Sequence, residues 1–305
     1  MELARLIHFL RKQNLWNTER PATAIHLAAG QHRWMEPGTL VALTAALLTH
    51  SRVHGAPITV DFSKATNTTF MDRVGFVRLL GVPSPKSCPG HRDPSGRFIE
   101  LTPFRTLQEV ERLTREAASL LDADGLVGPY IQRCLEEAMR NAVQHAGDTA
   151  VRLVAAQRFP QQRRVQLAVA DAGVGILQSL QRNAALRPTS SREALEMAVQ
   201  PGVSGAATLP TMSDFERNRG FGRFLLTESA AQTLGQLVLA AGDALFVQDG
   251  NHRRIFPIHP WQGTFLALEL LEDHLDAFYE LQVALIQRLP NDQPSPRVPF
   301  EQASA

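Results

Sequence analysis

Hydrophobic and polar positions in the first third of the chain switch repeatedly between two periods. Strand-like runs occur at 23–29 (TAIHLAA), 58–63 (ITVDFS) and 97–104 (RFIELTPF), and helix-period patterns run from Thr39 to Arg52, from Phe70 to Leu80 and from Thr106 to about Leu121. This alternation predicts a small sheet backed by helices. The Pro-, Gly- and Ser-rich stretch 81–96 reads as a loop. A helix opens beyond DADG (122–125), and TAVRLVAAQRF (149–159) and RVQLAVADAG (164–173) follow, joined by PQQR. That pair predicts an antiparallel hairpin. Residues 177–219 are polar and irregular apart from one helix pattern, SREALEMAVQ, and a connection that long reads as a lid or binding loop. A helix over 220–234 and three or four strands (GQLVLAAG, ALFVQDG, HRRIFPIHP, GTFLALEL) close the unit. The expected organisation is therefore α+β, with a unit over 1–123, a second over 124–286, and a Pro-rich tail, 287–305, expected to be disordered.

The helix CLEEAMRNAVQHAG (134–147) has an unusual border. At 100° per residue, Leu135, Ala138, Met139, Ala142 and Ala146 form an apolar stripe, and Glu136, Arg140 and Gln144 lie opposite. Glu137, Asn141 and His145 recur every four residues between the two. A carboxylate, an amide and an imidazole on the rim of a core belong either to a structural helix or to one wall of a site. The hairpin's second strand ends in Asp171, followed by Gly173 and Gly175. An aspartate just past a strand end can accept from an exocyclic amine, and the glycines allow tight curvature beside a ligand. Gly220 and Gly222 precede a helix whose free amides suit phosphate.

Composition narrows the classes. The 305 residues carry a net charge of +1, which does not favour a nucleic-acid or membrane-surface partner. The two cysteines lack metal-ligand spacing and read as reduced thiols. The first residues are too charged for a signal peptide, and no stretch reaches the roughly 18 apolar residues of a membrane span. A cytoplasmic location is expected.

The order of these motifs is more specific than any one of them. A helix with E-x-x-x-N, a strand ending in D-x-G-x-G-I, a long loop, G-x-G before a helix, and Gly263-Thr264 in a late strand together resemble the GHKL superfamily of ATP-binding domains. That superfamily is shared by histidine kinases, DNA gyrase, heat-shock chaperones and anti-sigma serine kinases. The likeness covers about residues 125–271 and implies a Bergerat-type sandwich, a mostly antiparallel sheet with helices on one face.

The cofactors it implies are ATP and Mg²⁺. Asn141 would hold the metal, Glu137 would be the catalytic carboxylate that orients or deprotonates water, and Asp171 would bind the adenine amine. Gly173, Gly175, Ile176 and His145 would belong to the nucleotide site, Gly220 and Gly222 would lie against the phosphates, Thr264 would sit near adenine, and 177–219 would form the lid. The sequence departs from the pattern at Gln144, where many histidine kinases have Lys, so that phosphate contact is missing unless His145, Arg219 or Arg223 supplies it. It departs again at Arg223 and Phe224, where Leu and a third Gly are common.

A shorter stretch, ITVDFSKATNTTFMDRVGFVRLLGV, resembles the strand-loop-helix of STAS domains, with its helix opening at Asp72, Arg73, Val74 and Gly75. Together the two likenesses imply bacterial signalling by a regulatory ATP-binding protein. Its lid would control contacts with another protein or with its own N-terminal domain, and a homodimer is open to it. The alternatives are a serine/threonine kinase of the anti-sigma type and an interaction module that has lost ATP.

Overall fold

The computed structural model describes residues 3–12, 25–28, 36–84, 98–121, 128–145, 147, 150–203 and 222–275. The expected tail and residues 204–219 of the expected lid lie outside them. The chain runs α1 (Leu3–Lys12), β1 (Ile25–Ala28), α2 (Pro37–His54), β2 (Ile58–Asp61), α3 (Thr68–Arg73), α4 (Phe76–Leu80), β3 (Phe98–Pro103), α5 (Leu107–Leu121) and α6 (Gly128–His145). It continues through β4 (Arg152–Phe159), β5 (Arg164–Asp171), α7 (Gly175–Gln181), α8 (Ser191–Ala198), α9 (Gly222–Gln232), β6 (Gln236–Asp249) and β7 (His252–Leu271).

One five-stranded antiparallel sheet, in the order β3-β4-β5-β7-β6, organises the molecule, and β1 and β2 form a separate parallel pair. Every residue of β5 is buried, because both faces of the sheet are covered. The period of two sorts its side chains. Val165, Leu167 and Val169 join a core with α5, α6, α8 and α9, and Ala168 and Ala170 join a second core with α1, α2 and α4. Small residues on the second face let α2 lie close. Its stretch Leu40–Ala46 is buried on every side, so this part of the helix has no solvent face, whereas Arg52 and Val53 near its end are exposed.

Several expectations change. Helices cover both faces of the sheet rather than one, because α2 from the N-terminal third packs over β4 and β5. The sheet also crosses the expected boundary: β3, placed with the first unit, pairs with β4 as its edge strand. The expected helix from Phe70 to Leu80 is two helices. Gly75, at φ +81°, turns the chain after Val74, and the Val74 carbonyl accepts from the Leu101 amide of β3. No helix opens at Asp72, which lies inside α3.

The three or four expected closing strands are two long ones. Gly242 marks a register irregularity within β6, not an end. Pro257 and Pro260 lie where β7 extends beyond β5 and pairs with β6 alone, so a missing amide is tolerated. The start of the expected lid is helical, as α7.

Local signals place the other helices. Thr106 and Glu109 form a reciprocal cap at the start of α5: the Glu109 amide donates to Thr106 Oγ1 at 3.2 Å and the Glu109 carboxylate accepts from the Thr106 amide at 2.9 Å. Arg152, the first residue of β4, donates through Nε to the Ala142 carbonyl at 3.1 Å and through Nη2 to that of Gly147, closing the end of α6. No helix among the described residues is long and apolar enough to cross a membrane.

Candidate functional site

The end of β5 and the inner face of α6 enclose a small cavity. It is lined by Asn141, Asp171, Gly175, Ser179, Arg223 and Thr264, with an apolar remainder that includes Ala138, Val169 and Leu239. These residues come from α6, β5, α7, α9, β6 and β7. Four of the predicted site residues, Asn141, Asp171, Gly175 and Thr264, therefore meet in one place.

Asp171 is the centre of the arrangement. It faces α6 because 165, 167, 169 and 171 share one face of the strand. Thr264 of β7 is its ladder partner on one side and Arg152 of β4 on the other. Its carboxylate accepts from the Gly173 amide at 2.9 Å and from the Thr264 amide. Burial outweighs these bonds and raises its pKa to about 6, with the amides of Gly173 and Thr264 and the charges of Arg223 and Arg152 pulling the other way.

The turn beyond Asp171 needs two glycines. A Cβ on Gly263, at φ +79°, would stand 2.1 Å from the Asp171 carbonyl oxygen, and one on Gly175, at φ +73°, would stand 3.1 Å from the Gly263 oxygen. The two backbones are packed against each other where the carboxylate is held, so the late Gly-Thr and the Gly after Asp171 are one structural unit.

On α6, the Asn141 amide nitrogen donates to the Glu137 carbonyl at 2.6 Å, which leaves the amide oxygen as its hard-ligand atom. Glu137 is half-buried and pairs with Arg133, one turn earlier, at 2.8 Å. Its carboxylate sits against the first turn of α9, where a Cβ on Gly222 would meet it at 2.3 Å. Burial raises the Glu137 pKa, and Arg133 opposes that.

The other predicted residues are placed differently. Ile176 is buried in the core beside the cavity, not among its lining residues. Gly173 contributes its amide to Asp171. His145 ends α6; its side chain, like Gly220, lies outside the described residues. Among the described residues, no three His, Cys, Asp or Glu side chains gather as a metal site.

Ser179 lines the cavity although no motif marks it, and so does Arg223, which the sequence offers only as a possible phosphate contact. Ser179 lies one turn after Gly175, on a helix that the polar sequence conceals. Arg223 follows the second glycine of G-x-G, a position that begins the helix and turns inward.

The cavity between them is about 20 Å³, room for about one water. Ordinary ligand pockets measure roughly 300–1,000 Å³. A ligand of nucleotide size would thus need a side chain or the lid to move. Comparison with protein-family models, curated proteins and solved structures finds no match to this chain.

Proposed function

We propose that the chain is an ATP-binding regulatory protein of the GHKL class, in which nucleotide orders the lid and changes the contacts offered to a protein partner or to the N-terminal elements packed on the same sheet. The observation that carries this reading is the convergence of Asp171, Thr264, Gly175 and Asn141, from four separate motifs, on one cavity between a sheet and a helix. Asp171 would take the base amine, and the Gly263–Gly175 contact would keep its turn rigid. The antiparallel order β4-β5-β7-β6, with α6 and α9 on one face, supports a Bergerat-type reading of this part.

Mg²⁺ fits the donor set. With one amide oxygen from Asn141 and no carboxylate cluster among the described residues, the remaining ligands would be phosphate and water oxygens, the usual way Mg²⁺ is held. Glu137 would orient water in any slow hydrolysis, and its raised pKa suits a general base.

Calorimetric titration with ATP, with and without Mg²⁺, tests the assignment. Asp171→Asn should weaken binding in both conditions and Asn141→Ala only the Mg²⁺-dependent part. Equal binding by wild type and both variants would remove it. Mass analysis after incubation with Mg·ATP separates hydrolysis from the anti-sigma-type kinase, which would leave phosphate on protein. The cavity of about 20 Å³ favours one second reading, an interaction module that has kept the fold and lost ATP. Absence of nucleotide binding by wild type would select it.

A further inference from the structure

Among the described residues, Arg223 is the one cation lining the cavity. It is half-buried in the first turn of α9, and the negative charges of Asp171 and Glu137 both act on it. Neither carboxylate is within ion-pair distance of it, and among the described residues no acceptor takes a hydrogen bond from its guanidinium. Glu137 already has Arg133 at 2.8 Å. A guanidinium carries five N–H donors in a planar fork that matches carboxylate and phosphate, so an entering anion would find these donors unengaged.

Arg223 is also the lining side chain best able to change the size of the cavity. The others are short or branched, on packed strands and helices, whereas arginine has a long flexible stem. The remaining gap of about 20 Å³ cannot admit a purine while the Arg223 side chain lines it.

We propose that Arg223 makes this site selective for phosphorylated nucleotides. At rest the guanidinium stands in the base pocket in the field of Asp171 and Glu137. An entering nucleotide exchanges partners with it: the base amine takes Asp171, and the guanidinium swings to the phosphates. This rests on the adenine-nucleotide reading above. A nucleoside must displace the cation and offers no anion to receive it. ATP supplies both the donor that Asp171 needs and the acceptors that Arg223 needs, so Arg223 opposes the one ligand and supports the other. This arginine would then give the phosphates the cation that the neutral Gln144 does not provide, and it stands where the likeness expects leucine.

The test compares Mg·ATP with adenosine by calorimetric titration of the full chain as wild type, Arg223→Leu and Arg223→Lys. In Arg223→Leu, adenosine should bind more tightly and ATP more weakly, so that the preference for ATP shrinks by at least about 10-fold, the scale of a single charge-assisted hydrogen bond. Arg223→Lys keeps the charge without the fork and should fall between the two. Thermal unfolding reports whether the leucine variant is folded; if it is not, the lysine variant decides. An unchanged ATP-to-adenosine ratio in a folded variant would overturn the role of Arg223 and leave the nucleotide site standing. Binding of neither ligand by wild type would remove both.

Discussion

The two ends of β5 each bury charge, and they do so in opposite ways. At its start, Arg164 and Gln166 point toward α2 and meet Glu36 and Glu269. Arg164 donates to Glu269 at 2.6 Å and to both carboxylate oxygens of Glu36, one of them at 3.3 Å. Gln166 donates to Glu36 at 2.8 Å and accepts from the Gly38 amide at 3.0 Å, and the Arg164 guanidinium lies 3.8 Å over the Phe159 ring. The two carboxylates raise the Arg164 pKa although burial, the largest single influence, lowers it. Each group here has a close partner.

At the end of β5, burial wins. Asp171 is pushed up to about 6, and Arg223, the cation that acts on it most strongly, stays beyond ion-pair distance. Charge that is fully matched within the chain fixes α2 on the sheet. Charge matched by two backbone amides alone is what the proposed nucleotide site would use.

The largest effect should come from the matched end. Arg164→Ala leaves Glu36 and Glu269 buried without their cation and should cost about 3–5 kcal/mol, measured by urea unfolding. A loss below about 1 kcal/mol would show that this network does not hold α2 and would dissolve the contrast.

The unmatched end should respond with the opposite sign. Between pH 3.8 and about 6, folded Asp171 keeps a proton that the unfolded chain has lost, so stability falls as pH rises through that window, and the penalty is complete above it. A separation of roughly two pKa units, at about 1.4 kcal/mol each, gives about 3 kcal/mol. Asp171→Asn cannot ionise, so it should gain on wild type progressively from about pH 4 to 6 and exceed it by up to that amount at neutral pH. Urea unfolding at several pH values measures this, and a variant less stable than wild type at neutral pH would count against it.

Gly263→Ala should cost about 1–3 kcal/mol in backbone strain, with the clash at the Asp171 carbonyl in addition. It should also weaken any ligand that reads Asp171. Glu137→Gln is expected to move stability least. Its partner Arg133 is largely exposed, which screens the pair, and its effect should be confined to turnover, lowering any hydrolysis by about 10²- to 10⁴-fold while ATP remains bound. A rate equal to wild type would make Glu137 a structural residue.

Much of the candidate site is legible in the sequence because its residues sit on regular elements whose periods are known. Asn141 and Glu137 share a helix face through a spacing of four, and Asp171 ends a strand whose alternation fixes the face it points to. The hairpin of β4 and β5 is legible for the same reason.

The features that escape a reading of the sequence are non-local. Arg164 and Gln166 alternate with Val165 and Leu167 and so look solvent-facing; only the covering α2, 128 residues earlier at the Gly38 contact, makes them interior. Gly242 and Pro260 look like strand ends, but a register irregularity and a stretch of β7 paired on one side alone accommodate them. No local pattern reveals that β3 joins β4, or that the arginine after G-x-G turns into the cavity.

If the end of β5 is held unfavourably because a nucleotide uses it, binding and stability must be coupled at Asp171. Thermal unfolding of wild type and Asp171→Asn at a pH of about 7.5, above the Asp171 window, each with and without Mg·ATP, measures that coupling. Wild type should start lower and rise with nucleotide, gaining about 2.7 kcal/mol at roughly a hundred times its dissociation constant. The variant should start higher and barely move. Equal rises in both proteins, or a variant that starts lower than wild type, would show that Asp171 is not kept charged and buried for a nucleotide.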